Sequence, residues 1–315
     1  MLLASSVTPS GSAWAVSAAR ASVPSAQVVE LTDFDERDVV RALAAAVGVP
    51  GATRVADDLS GALSAIRRTA TLMAAFEFAE SKHDPTIVVV DAAVPDVVAD
   101  LCSLSALLRA SAPEFELTDR LQSICDAIAK GRVEWLLAVP PESAAIETAT
   151  VQVAQGCALG LSMRGVLVAP MPRKADGWPT GIRRAARELV EDLQDRLFGI
   201  AVKRVRGGRV CSFSSPDLDS RSPIVTEDSG GMFLLSCTIP GARYCDLEVG
   251  VWSEEPSYPG THLVLRLDGL TARMELDSTL RRCVAVEAVV AGDTITVPFA
   301  PDPGQWPAAS KEENR

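Results

Sequence analysis

The chain has 315 residues with 48% hydrophobic and 23% charged positions and a formal net charge of -11. That length can bury two separate cores, and the apolar content excludes general disorder. The acidic balance excludes a nucleic-acid partner, which needs a basic face to release counterions; the one basic run, Lys203 to Arg209, reads as a solvated linker.

In chain order, the first 26 residues are small and apolar, with Arg20 as the first charge. A signal peptide has a basic start, so secretion is disfavoured even though a Ser/Ala-rich stretch precedes Gln27. No apolar run approaches the ~20 residues that span a bilayer. A cytoplasmic protein without membrane insertion is therefore expected.

Short β-branched runs follow at Leu2 to Val7, Gln27 to Thr32, Thr86 to Val90, Glu134 to Val139, Gly165 to Ala169 and Gly199 to Val205. Several are apolar on both faces, as strands covered by helices on both sides must be. Between them, Glu36 to Val47, Asp58 to Glu80, Val94 to Ala110, Asp119 to Lys130, Glu142 to Leu159 and Thr180 to Leu197 carry Ala, Leu, Arg and Glu at helical spacing. Gly48, Gly131 and Gly199 stand where such helices stop. The alternation predicts an α/β domain over residues 1–206 with a doubly wound, mostly parallel sheet. In the second helical stretch Leu59, Leu63, Ile66, Met73, Phe76 and Phe78 form an apolar stripe that is expected to face the core.

Residues 207–230 turn to Gly, Ser, Asp and Pro without periodicity, which predicts a linker. Beyond it the period becomes two. Strands are predicted at Met232 to Ile239 and Cys245 to Trp252. His262 to Asp268 and Leu270 to Leu276 form a hairpin on the Asp268-Gly269 turn, and Val284 to Val290 pairs with Thr294 to Phe299 through Ala291-Gly292-Asp293. Residues 231–308 thus read as a small all-β sandwich, and residues 309–315 as a solvated tail.

Seven cysteines, at 102, 125, 157, 211, 237, 245 and 283, form no C-x-x-C pair, and the two histidines, His83 and His262, are far apart. Neither a disulfide framework nor a metal site is suggested, so reduced, mostly buried thiols are expected. No histidine stands in a nucleophile-elbow or triad context. The carboxylate pairs Asp57-Asp58 and Glu254-Glu255 read as surface charges.

A strand, a small-residue loop and a helix at the N-terminus occupy the place of a phosphate loop, and four segments carry a likeness to one family. Val28 to Asp38 (VVELTDFDERD) resembles a second strand followed by V-S-T-D-P-A-H-S, with Asp33 at the catalytic-aspartate position. Ile87 to Ala93 (IVVVDAA) resembles a Walker B strand and its D-T-A-P-T switch, with Asp91 at the magnesium-side aspartate. Trp135 to Glu147 (WLLAVPPESAAIE) resembles L-V-T-x-P-E-x-L-A-x-x-E. Leu263 to Trp306 resembles an α-crystallin-like C-terminal module of bacterial members through L-V-L-R-L-D-G, L-R-R-C and V-P-F-A-P-D-P-x-Q-W-P. Together they resemble the ArsA-type P-loop ATPases, which include the arsenite-pump ATPase and the guided-entry ATPases for tail-anchored proteins.

The resemblance also implies what is missing. The family's G-K-G-G-V-G-K-T falls on Ser6 to Ala13 (SVTPSGSA), where only Gly11 survives. Ser12 replaces the lysine that neutralises phosphate charge, Ala13 the hydroxyl that binds Mg²⁺, and Val7 the signature lysine that crosses the dimer in relatives; Pro9 removes a backbone donor. Ala169, in L-V-A-P, replaces the adenine-reading Asn of V-V-N-R. With these gone, Asp33 and Asp91 are better read as capping or turn residues than as catalytic groups. In targeting relatives a methionine-rich insertion forms the client groove, and here the corresponding stretch is short and has one Met.

The expectation is a non-catalytic ArsA-like homologue without a cofactor, paired with an ArsA-like ATPase paralogue or with itself. Two alternatives stay open. One is a client-binding module built on the α-crystallin-like part. The other is an ATPase that uses Mg-ATP through a rearranged phosphate loop.

Overall fold

The apolar runs of the N-terminal part become the strands of one sheet. In a computed structural model the described residues are 1–7, 27–30, 69, 72–73, 76, 79, 86–90, 93–111, 116–169, 179–204, 224–227, 231–253 and 257–305. The chain divides into two units, Met1–Pro216 and Asp217–Arg315.

The first unit runs β1 (Leu2–Ser6), β2 (Gln27–Glu30), β3 (Thr86–Val90), α1 (Val94–Ser111), α2 (Glu116–Ala129), β4 (Glu134–Val139), α3 (Ser143–Ala158), β5 (Ser162–Val168), α4 (Thr180–Arg196) and β6 (Val202–Arg204). The six strands form one sheet in the order β2-β3-β1-β4-β5-β6, and every pairing is parallel. Parallel strands joined by helical crossovers are covered on both faces, which explains their unbroken apolar text. Leu3, Val88, Trp135, Leu137, Val139, Val166 and Val168 pack with buried residues of α1 to α4 in one core. Their strand neighbours Leu2, Ala4, Leu136, Ala138 and Leu167, which alternate to the opposite face, are also buried.

Thr69, Leu72, Met73 and Phe76 are helical and buried. Met73 and Phe76, expected on a core-facing stripe, join the same core; Leu59, Leu63, Ile66 and Phe78 lie outside the described residues. Gly131 and Gly199 follow α2 and α4 with φ of 65° and 84°, as the sequence predicts; Gly48 lies outside the described residues.

Several boundaries differ from expectation, among them the start of α2, at Glu116 where Asp119 is predicted. β5 starts at Ser162, ahead of the predicted Gly165, because Arg164 is an extra residue between Met163, paired with Trp135, and Gly165, paired with Leu136. This bulge breaks the period-two pattern in the sequence. It leaves Arg164 to form an ion pair with Glu134 of the neighbouring strand. β6 is also shorter than Gly199 to Val205, occupying Val202–Arg204.

The second unit holds β7 (Ile224–Glu227), β8 (Phe233–Thr238), β9 (Leu247–Trp252), β10 (His262–Leu267), β11 (Leu270–Glu275), β12 (Cys283–Ala285), β13 (Val289–Ala291) and β14 (Thr294–Pro301). They make two antiparallel sheets, a three-stranded β11-β10-β9 and a five-stranded β12-β14-β8-β7 with β13 on β14. Each sheet has one buried face: Leu263, Leu265, Leu267, Leu270 and Ala272 in the first, Leu235, Cys237, Ile295, Val297 and Phe299 in the second. On the other face of the second sheet, hydroxyl pairs Ser236–Thr296 and Thr238–Thr294 lie 3.2 Å apart.

The β10–β11 hairpin is as predicted, with Asp268 at φ 47° and Gly269 at φ 84° in its two-residue turn. The stretch read as linker contains β7, paired with β8. The predicted strand Val284 to Val290 is split into β12 and β13. Between Ala285, paired with Phe299, and Val289, paired with Thr296, three residues face only Pro298 and Val297. Pro298 has no N–H for the ladder, and a bulge opposite it absorbs the mismatch.

Candidate functional site

In a parallel α/β sheet, ligands bind outside the carboxyl ends of the strands, where chain crossovers change direction. Here the chain leaves β1 for β2 past β3, then runs from β3 past β1 to β4 and outward to β5 and β6. The change of direction falls at β1, whose neighbours are β3 and β4. At this edge Ser5 is level with Val90 of β3, Ser6 with Ala138 of β4, and Val139 with Val168 of β5.

The backbone fixes how the edge is built. The amide of Val7 donates to Ala138 O at 3.1 Å and that of Ala169 donates to Val139 O at 2.9 Å. Both residues therefore continue their strands, and neither amide is free to face a ligand. The Val7 side chain packs against the core. Beyond β4, Pro140-Pro141-Glu142 turns into α3: the Glu142 amide donates to Pro140 O at 2.9 Å, and Glu142 O accepts from the Ile146 amide at 3.0 Å. Two prolines without N–H groups and a closed turn account for the sharp strand-to-helix passage.

Among the residues assigned to a nucleotide by resemblance, the structure brings Ser6, Val7 and Ala169 to this one edge. Gly11, Ser12, Ala13, Asp33 and Asp91 lie outside the described residues. In the chain, Asp33 follows β2 and Asp91 directly follows β3, so both come after strands whose carboxyl ends share the edge. Val7 and Ala169 carry no polar side-chain group.

No family model matches the chain, and no curated protein does. The likeness to ArsA-type ATPases thus rests on the quoted segments alone.

Other residues weighed in the sequence fall elsewhere. His262 lies on β10, its Nδ1 2.9 Å from Thr261 Oγ1 and its ring 6.0 Å from that of Trp252; no serine or cysteine is within these contacts. His83, Cys211, Asp57, Asp58, Glu254 and Glu255 lie outside the described residues. Among the described residues no three His, Cys, Asp or Glu side chains gather as metal ligands, and no helix is long and apolar enough to cross a membrane. Lys203 and Arg204 of the basic run are on β6, where Arg204 reaches Glu191 of α4 at 4.0 Å.

One pair escaped sequence reading. Cys102 on α1 and Cys125 on α2 have sulfurs 3.9 Å apart, although 22 residues separate them and no motif links them. The signal available was helical register: Leu101 and Leu108 on α1, with Leu121, Ile124 and Ile128 on α2, mark the buried faces, and each cysteine adjoins one.

Proposed function

We propose that the chain is a non-catalytic homologue of the ArsA-type ATPases, with a P-loop-like first unit, that serves as partner or regulatory subunit of an intact ATPase of that type. The supporting observation is the strand order at the candidate edge. β3 lies beside β1 with Val90 level with Ser5, so the two strands that lead into the segments read as phosphate loop and Walker B are neighbours in the sheet. At the same edge Val7 and Ala169 are apolar.

A lysine and a metal-binding hydroxyl contribute about 1.5–3 kcal/mol each through charge-assisted hydrogen bonds. An edge without them favours recognition of a protein over phosphate chemistry. A cytoplasmic location and the absence of a resident cofactor belong to the same reading. The test is to mix the chain with an intact ArsA-type paralogue. Copurification and an altered ATPase rate of the paralogue are expected; hydrolysis by the chain alone, lost on Asp33→Asn, overturns the proposal.

A second reading has its own observation. Val284 of β12, Val289 and Val290 of β13 and Val286 in the break between them are all exposed, and among the described residues β13 pairs only with β14. An apolar edge of this kind suits strand addition by an extended client segment, as in a client-binding sandwich of α-crystallin type. Replacing Val289 by Lys in the full chain is expected to abolish retention of an aggregation-prone client; unchanged retention removes this reading.

A further inference from the structure

Helices α1 and α2 pack against each other, and most of their seam is aliphatic. Cys102 and Cys125 interrupt it with two sulfurs 3.9 Å apart, both partly exposed and both unbonded in a disulfide. Their surroundings are polar on one side. Ser105 Oγ donates to Gln122 Oε1 at 3.4 Å, and Gln122 Nε2 donates to Asp126 Oδ1 at 2.9 Å. On α1 the spacing of Cys102, Ser105 and Arg109 holds all three on one flank.

The two thiols are chemically unequal. In the neutral pair Cys125 donates to Cys102. Once ionised, Cys125 accepts the Cys102 S–H, and this holds its pKa below the ordinary thiol value, with help from the Ser105 hydroxyl, turned from Gln122 to the thiolate, and from the Arg109 charge, against desolvation and Asp126. Cys102, as donor and partly desolvated, is pushed up. A low-pKa thiolate with a resolving thiol alongside is the arrangement that oxidants select.

We propose that Cys102 and Cys125 are a dithiol that a hydroperoxide converts to a disulfide tying α1 to α2. The Cys125 thiolate attacks the distal peroxide oxygen: an S–O bond forms, the O–O bond breaks, and the leaving hydroxide or alkoxide takes a proton. Sulfur is oxidised by two electrons to a sulfenic acid, and the peroxide is reduced. The Cys102 sulfur then attacks the Cys125 sulfur; the S–S bond forms, the S–O bond breaks, and the departing hydroxide leaves as water with the Cys102 proton. The sulfurs close from 3.9 Å to the ~2 Å of a disulfide. Because α1 starts directly beyond the Asp91 position at the end of β3, the bond braces the helix that leads away from the candidate edge.

The test uses the purified full chain, treated with hydrogen peroxide, blocked with iodoacetamide and mapped without reduction by mass spectrometry. Trypsin cuts at Arg109 and Arg120, so the two cysteines fall on separate peptides. The expected result is a monomer that has lost two hydrogens, with the Cys102 and Cys125 peptides joined and released by dithiothreitol. In Cys102→Ser, oxidation stops at a Cys125 sulfenic acid that dimedone traps. Recovery of both peptides unlinked, or linkage among other cysteines only, overturns the proposal. So does alkylation of Cys237 and Cys283 before Cys125 in the untreated chain. The wild-type map decides the matter even if the variant fails to fold.

Discussion

Trp135 is 0% exposed and ties three elements together. Its indole N–H donates to Ser5 Oγ at 3.0 Å, joining β4 to β1, and a Cβ placed on Gly156 of α3 would stand 2.6 Å from its Cζ3. Ser5→Ala leaves a buried N–H unpaired and is expected to cost about 1–3 kcal/mol. Gly156→Ala drives a methyl into the ring, and about 1–3 kcal/mol is expected there too. Urea unfolding followed by Trp fluorescence measures both, and midpoints equal to that of wild type refute the packing account. Cys237, buried, and Cys245, half-buried, add a pH effect. Burial pushes Cys237 up to about 11 from 9.0, and burial together with Asp268 and Asp293 pushes Cys245 up to about 12. A raised thiol pKa means that the folded state holds its proton longer than the unfolded chain. The associated stability is whole below pH 9.0 and is lost as pH rises through about 11. The stability gap between wild type and Cys237→Ala should therefore narrow from pH 9 to pH 11, and a constant gap contradicts the assignment.

At the scale of elements, the hairpin of β10 and β11 was legible because alternation and the Asp-Gly turn speak together. Gly269 sits at φ 84°, and a methyl there would meet nothing within 4 Å, so only backbone strain opposes a side chain. Gly269→Ala is expected to cost about 1–2 kcal/mol, read as a lower thermal midpoint; a rise in that midpoint contradicts the turn. Other elements were hidden by single residues. Arg164 puts a charge inside a strand and shifts its register, so the start of β5 was missed. Pro298 forces the break between β12 and β13. β7 has four residues in a Gly- and Ser-rich stretch, too short for periodicity to register. Its partner β8 supplies the hydrogen bonds that local sequence does not announce.

For the whole molecule, the sequence indicated that strands and helices alternate and that the chain then turns all-β. The order β2-β3-β1-β4-β5-β6 was not legible, since pairing between β1 and β3 is a contact across more than eighty residues. The candidate edge was half legible. Likeness singles out Ser6, Val7 and Ala169, which lie at one edge, while the commitment of the Val7 amide to Ala138 O follows from the pairing of β1 with β4, which the sequence does not carry. Spacing within each helix marks the buried face beside Cys102 and beside Cys125, but that the two faces meet depends on how the helices lie against each other. The most direct measurement of the central claim is isothermal titration of the full chain with Mg-ATP. The account predicts no saturable heat at high protein concentration. Saturable binding of Mg-ATP would contradict it.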